Sequence, residues 1–133
     1  MATISNAVMT LAHDHKKKTV RAIVKCNVNF TPMERCQMTN CPGMRLFKLK
    51  CQLWGKDSGL TGTDDFLFTY ADVFFFPDPA PSATESRIFD VVLGEGVLDE
   101  DWGEAEIFGL LKLINLYTLV QITRKTNSAA HSF

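Results

Sequence analysis

The sequence of 133 residues predicts an all-β fold, an antiparallel β-sandwich of seven or eight strands. The first observation is alternation: from Val20 to Phe30 the apolar residues fall on every second position, apart from Ile23. Successive side chains of a strand point to opposite faces, so this pattern places one face on a core and the other in water. The second observation is that clusters of Gly, Pro and Asp separate the alternating segments, as turns do. A closed β-barrel is the alternative arrangement.

Seven strands follow one another along the chain, and most of them repeat the two-residue alternation. They are predicted at residues 3–11, 18–30, 44–54, 65–76, 86–93, 104–116 and 119–126. We predict a single sandwich domain over residues 1–126, because a chain of this length fits one domain. The polar residues 127–133 are predicted to form a loosely ordered C-terminal tail. The pattern resembles C2-type and immunoglobulin-like sandwiches in architecture alone, which assigns no functional residue.

The segment 104–116 has an alternative interpretation as a helix, which would make the fold α+β. Asp101 resembles a helix N-cap, with the acidic Glu104 three positions later. Several apolar residues behind it also fit a helical stripe: Ile107, Leu110, Leu111 and Ile114. Gly109 and the nearly continuous apolar run favour a strand that is buried on both faces. We therefore predict a strand here.

Charge and hydropathy argue against two classes of partner. The 14 basic and 15 acidic residues leave a net charge of −1, so the chain has no overall positive field for nucleic acid. The run Lys16–Lys18 is interpreted as a solvated entry to a strand. The most apolar run, 107–120, contains Lys112 and Asn115 and is too short to span a bilayer. The first eleven residues lack the pattern of a secretory signal, which predicts a cytoplasmic protein.

The four cysteines form two pairs that are centred on the same point of the sequence. We predict a hairpin of strands 18–30 and 44–54 with Cys26 facing Cys51 as small buried residues. Cys36 and Cys41 lie in the connection and are predicted as a disulfide or reactive thiol pair. A single zinc site is disfavoured, because about 33 Å of extended chain would separate Cys26 from Cys36.

Two sets of residues are candidate metal ligands. If each connection reverses the chain, the first, third and fifth connections share one end of the fold, and their carboxylates converge there. Calcium takes six to eight oxygen ligands, and a possible calcium site is predicted from five of these acids: Asp57, Asp64, Asp65, Asp99 and Asp101. The simpler explanation is that loops are acidic because they are in water. His13 and His15 are a weaker candidate pair, since they point to the same side of an extended segment.

The run Val73–Phe76 breaks the alternation, so both faces of this strand are apolar. Phe74 and Phe76 share the face opposite Val73 and Phe75, and both faces cannot reach one core. A second subunit is the simplest cover for Phe74 and Phe76. We therefore predict a homodimer or higher oligomer with these two residues in its interface.

The sequence contains no catalytic motif of known spacing. The leading hypothesis is a non-catalytic binding or assembly module, self-associating, with a possible calcium-binding loop end. One alternative is a carrier of a small ligand, with a barrel interior lined by aromatic residues: Trp54, Phe66, Phe68 and Phe89. The other alternative is a small enzyme that depends on a metal or a thiol.

Overall fold

The computed structural model describes residues 1–40, 46–55, 65–76, 80–98 and 104–132, which form a two-sheet antiparallel sandwich. The sheets do not close into a barrel, so the sandwich prediction is confirmed and the barrel alternative is wrong. The elements of this part of the chain are β1 (Thr3–Asp14), β2 (Thr19–Asn29), α1 (Pro32–Asn40), β3 (Phe47–Gly55), β4 (Asp65–Thr69), β5 (Val73–Phe75), β6 (Thr84–Gly94), α2 (Glu95–Leu98), β7 (Glu104–Asn115) and β8 (Gln121–Ser132). Neither helix is long and apolar enough to cross a membrane.

The two sheets divide the strands unevenly. Sheet A has the order β1-β2-β6, and sheet B has the order β4-β3-β7-β8. The short strand β5 also pairs with β3, so that β4 and β5 follow each other along one edge of β3. β4 covers Gln52–Gly55 of that edge, and β5 covers Phe47–Leu49. The predicted strand 65–76 is therefore two short edge strands with a break between them.

The core lies between the sheets and is built from the inward residues of the alternating strands. In β2 they are the ones that the pattern predicted: Val20, Ala22, Val24, Cys26 and Val28. In β3 they are Phe47, Leu49, Cys51 and Leu53. Burial of each large apolar side chain contributes roughly 1.5–3 kcal/mol. The alternation therefore identified the buried faces of both strands correctly.

The predicted hairpin with Cys26 opposite Cys51 is wrong, because β2 and β3 lie in different sheets. Cys26 is paired with Arg87 of β6, and Cys51 is paired with Leu111 of β7. Both thiols point into the interior, each from its own sheet. Alternation shows which face of a strand is buried, but it does not show which strand lies beside it.

Helix α1 occupies part of the connection that was predicted to be a loop. The Glu34 N–H donates to Thr31 Oγ1 (3.2 Å), and the Thr31 N–H donates to Glu34 Oε1 (2.9 Å), which is a reciprocal capping box. Pro32 stands at the first helical position, where its fixed φ favours the helix. The second oxygen of the buried Glu34 carboxylate accepts the Ala2 N–H (2.9 Å), so the helix start also holds the start of the chain.

The segment 104–116 is strand β7, which confirms the strand prediction and makes the helical alternative wrong. Gly109 lies at a bulge between β7 and β8, and its N–H donates to Thr126 Oγ1 (2.8 Å). A Cβ at this position would lie 3.0 Å from Thr126 Cγ2 and 3.1 Å from Val24 Cγ2. The glycine therefore lets the two sheets approach closely, rather than marking a weak helix.

Strand β8 is longer than predicted, because it continues through the expected tail to Ser132. Asn127 explains part of this extension. Its side-chain amide donates to Met9 O (3.1 Å), and its carbonyl oxygen accepts the Met9 N–H (2.8 Å). Asn127 thus takes the place of a backbone partner and joins the β8 edge of sheet B to β1 of sheet A. Across the interior, the Tyr70 hydroxyl makes a second link by donating to Ala22 O (2.9 Å).

Candidate functional site

The predicted interface residues lie on β5 and immediately after it. Phe75 is paired with Phe47 and is only 2% exposed, whereas Phe76 is 56% exposed. Phe74 is paired with Lys48 and is half-buried. The Phe75 ring packs edge-on against Phe30, with the centroids 5.3 Å apart. The predicted division of this run is therefore observed, with Phe75 in the core and Phe76 at the surface.

The aromatic residues that point away from the core lie on and directly after β5. β5 pairs with β3 in the described part of the chain, and Phe75 O accepts the Leu46 N–H (3.1 Å). Phe76 directly follows the strand, with its side chain largely exposed. We call the two outward residues Phe74 and Phe76 the β5 surface. Aromatic residues are enriched in interfaces relative to the rest of a protein surface.

The histidine pair lies at the end of the sandwich where β1 turns into β2. His13 Nε2 lies 2.5 Å from Glu95 Oε2, and the His13 side chain is 4% exposed. The ring centroids of His13 and His15 are 4.0 Å apart. Within the described residues, no group of three or more His, Cys, Asp or Glu side chains is placed to hold a metal ion. Metal ligation by His13 and His15 stays a prediction, and Glu95 is the partner that sequence reasoning missed.

Most of the predicted calcium ligands lie outside the described residues, namely Asp57, Asp64, Asp99 and Asp101. Asp65 is the first residue of β4. The elements that flank these loops do share one end of the sandwich. Gly94 is paired with Thr19, the Glu95 N–H donates to Lys18 O (3.0 Å), and α2 contacts β4. Calcium binding stays a prediction, which a calorimetric titration with calcium tests.

The cysteines fall into a buried group and an exposed one. Burial raises the pKa of the Cys26 thiol to about 11 and raises the pKa of the Cys51 thiol further, so both stay protonated at neutral pH. Cys36 is exposed on α1, and Cys41 lies outside the described residues. The predicted Cys36–Cys41 disulfide or thiol pair therefore stays a prediction.

This difference predicts the pattern of thiol alkylation in the reduced, folded protein. At neutral pH we expect iodoacetamide to modify Cys36 much faster than Cys26 or Cys51, because the thiolate is the nucleophile and the buried thiols are protonated. Peptide mapping by mass spectrometry after short exposure measures the modification at each position. In urea all three should react at similar rates. Rapid modification of Cys51 in the folded protein would contradict the buried position.

The aromatic residues proposed for a carrier interior do not share one cavity. Trp54 and Phe66 pair with each other on the outer face of sheet B, and Phe66 is 49% exposed. Phe89 is buried between the sheets, and Phe68 packs edge-on against Tyr70. The hypothesis of an aromatic barrel interior is therefore wrong. Trp54 directly follows the buried Leu53, so the alternation of β3 places it on the outer face.

A second surface that sequence reasoning missed is the outer face of sheet B. Lys50 of β3 lies directly opposite Lys112 of β7, and the two residues line a cleft of about 60 Å³ together with Gln52 and Leu110. Lys50 was visible as a polar position in an alternating strand. Lys112 was hidden within an apolar run, and the pairing of β3 with β7 was needed to bring the two together.

Comparison with known proteins assigns no family. No protein-family model and no curated protein matches the sequence. The chain is similar to the X-ray structure of a Northeast Structural Genomics Consortium target, with a TM-score of 0.41 and 7% identity over 98% of this chain and 85% of that one. It is also similar to the crystal structure of a Bordetella pertussis protein assigned the name ApaA, with a TM-score of 0.39 and 9% identity over 99% of this chain and 93% of that one. Neither resemblance is strong enough to indicate a function.

Proposed function

We propose that this protein is a non-catalytic binding and assembly module that associates with a second copy of itself through the β5 surface. The observation that carries the proposal is the position of Phe76. More than half of its side chain is exposed, directly after the short strand β5. Large aromatic side chains are enriched in interfaces, where a partner covers their apolar surface.

A symmetric dimer offers a simple cover for this surface. In a two-fold arrangement the side chains of Phe74 and Phe76 would meet the same two side chains of the second copy. Burial of one phenylalanine side chain contributes roughly 1.5–3 kcal/mol, and a dimer buries this surface twice. Because Phe75 already fills the core, covering Phe76 requires no change inside the monomer.

The packed interior favours a surface function over a carrier. Large buried side chains from both sheets meet between them, among them Met9 of sheet A and Phe47 of sheet B. One cleft in the described part of the molecule opens at the surface beside His13 and Arg21. A function at an outer face or at an edge therefore agrees best with this architecture.

Replacing Phe74 and Phe76 with Ser should dissociate the dimer without unfolding the monomer. A matched control is I88S/V92S on the outer face of sheet A, where the two side chains are 62% and 60% exposed. It removes a similar exposed apolar surface and should leave the dimer intact. Light scattering coupled to size exclusion measures the mass of each variant, and circular dichroism checks the fold. Dissociation of the I88S/V92S variant alone would place the interface on sheet A and overturn the proposal.

A further inference from the structure

The outer face of sheet B holds a like-charged pair at its centre. Lys50 and Lys112 occupy directly opposite positions on the neighbouring strands β3 and β7. Like charges in this relationship destabilise an antiparallel pair. Within the described residues neither lysine forms a salt bridge. Their arrangement therefore has a cost in stability that a bound anion would remove.

The two lysines line a small polar cleft. Gln52 and Leu110 complete its lining, and its volume is about 60 Å³. A cleft of that size has room for several water molecules or for one phosphate group. The Gln52 side chain also accepts a hydrogen bond from Trp54 Nε1 (3.1 Å), which orients the amide at the cleft's edge.

Two more lysines extend the positive charge across the same face. Lys48 lies one outward position from Lys50 on β3, opposite Ile114. Lys125 of β8 is paired with Leu110, and its Nζ lies 4.9 Å from the centroid of the Phe108 ring. The four lysines come from three neighbouring strands. The net charge of −1 is an average over the whole chain and conceals this local excess of positive charge.

Aromatic side chains lie at one end of the lysine row. Trp54 and Phe66 are paired across β3 and β4, and their rings pack edge-on with the centroids 5.7 Å apart. Phe66 is 49% exposed. Lysines that follow a backbone and aromatic rings that stack on bases are the two components of sites for single-stranded nucleic acid.

We infer that the outer face of sheet B binds single-stranded nucleic acid, with a phosphate at the Lys50–Lys112 cleft and a base against Phe66. From Lys50 to Trp54 the strand spans four residues, or about 13 Å. That distance exceeds the reach of a nucleoside monophosphate from its phosphate to its base, so the inferred ligand is a strand and not a monophosphate. A single strand also presents the unstacked base that an exposed ring requires. The inference corrects the expectation from net charge and does not rest on self-association.

The test is fluorescence anisotropy with a labelled single-stranded oligothymidine and the full chain. The affinity should fall as salt rises, with a slope of about −0.7 for each phosphate contact in a plot of log affinity against log salt concentration. In K50Q/K112Q the slope should become shallower by about 1.4, because two contacts are lost. In F66A we expect binding about tenfold weaker, with an unchanged slope, because stacking is not ionic.

The matched control is K16Q/K17Q, which removes the same charge from the exposed turn between β1 and β2. It should bind like the unmutated protein, while K50Q/K112Q should melt at the same or a higher temperature because repulsion is relieved. If K16Q/K17Q weakened oligothymidine binding as much as K50Q/K112Q, binding would depend on overall charge and not on this face, which would overturn the inference. Absence of binding by the unmutated protein at about 50 mM salt would overturn it as well. Polyglutamate or anionic vesicles that compete as well as unlabelled oligothymidine would assign the face to a different anionic partner.

Discussion

Replacing Phe75 with Ala is expected to destabilise the protein by about 3–5 kcal/mol, since truncation of a buried phenylalanine loses transfer free energy and leaves a cavity. Phe75 is 2% exposed and packs against the Phe30 ring. The Arg87 guanidinium carbon lies 4.6 Å from the centroid of the Phe75 ring. The ring therefore contacts both β6 and the residue that directly follows β2. Urea unfolding followed by circular dichroism measures the loss.

The next residue provides the matched control for this prediction. Phe76→Ala removes the same chemical group from a side chain that is 56% exposed, and substitutions at such positions usually change stability by less than about 0.5 kcal/mol. The comparison should be made at a protein concentration low enough to keep the chain monomeric, because self-association adds to apparent stability. Equal losses at the two positions would show that Phe76 belongs to the core and that the β5 surface does not exist.

The second large effect is expected at Glu34. Glu34→Ala should destabilise the protein by about 2–4 kcal/mol. The Thr31 N–H loses its bond to Glu34 Oε1, the reciprocal half of the capping box, which contributes about 0.5–1.5 kcal/mol of this. The Ala2 N–H, which donates to the buried carboxylate over 2.9 Å, would be left without its acceptor, at a cost of about 1–3 kcal/mol.

Gln37→Ala on the same helix is the control for Glu34, because Gln37 is exposed. It should change the free energy of unfolding by a few tenths of a kcal/mol at most. Hydrogen exchange gives an independent measure: in Glu34→Ala the amides at the start of β1 and of α1 should exchange faster, while those of β7 keep their protection. A small and equal effect of both substitutions would mean that Glu34 does not join the helix to the chain start.

Alternation in the sequence was enough to predict the sheet class and the buried faces, because a two-residue period has one structural meaning. In β2 the inward residues are the apolar ones, and in β3 the same holds from Phe47 to Leu53. The same information could not predict the neighbours of a strand. β2 and β3 are consecutive strands and still lie in different sheets, since their connection contains α1 and crosses the sandwich.

Other features depended on signals that are present but easily overlooked. Thr31, Pro32 and Glu34 form a complete helix start within four residues. The extension of β8 depends on Asn127, whose contact with Met9 joins residues from opposite ends of the chain. No local pattern could have predicted that contact.

The two candidate surfaces also differ in whether a local sequence pattern could predict them. The β5 surface could be predicted because four consecutive apolar residues cannot all face one core. The Lys50–Lys112 pair could not be predicted, because it depends on the register between two strands that are far apart in sequence. Trp54 was assigned to a barrel interior because it is aromatic, although the alternation that buries Leu53 places it on the outer face.

Sedimentation velocity of the unmutated chain, from low to high micromolar concentration, tests the proposed self-association most directly. Self-association predicts a concentration-dependent shift from the 14.9 kDa chain to a species of twice that mass. The F74S/F76S variant should remain at the lower mass throughout. A single species of 14.9 kDa at every concentration of the unmutated protein would contradict self-association.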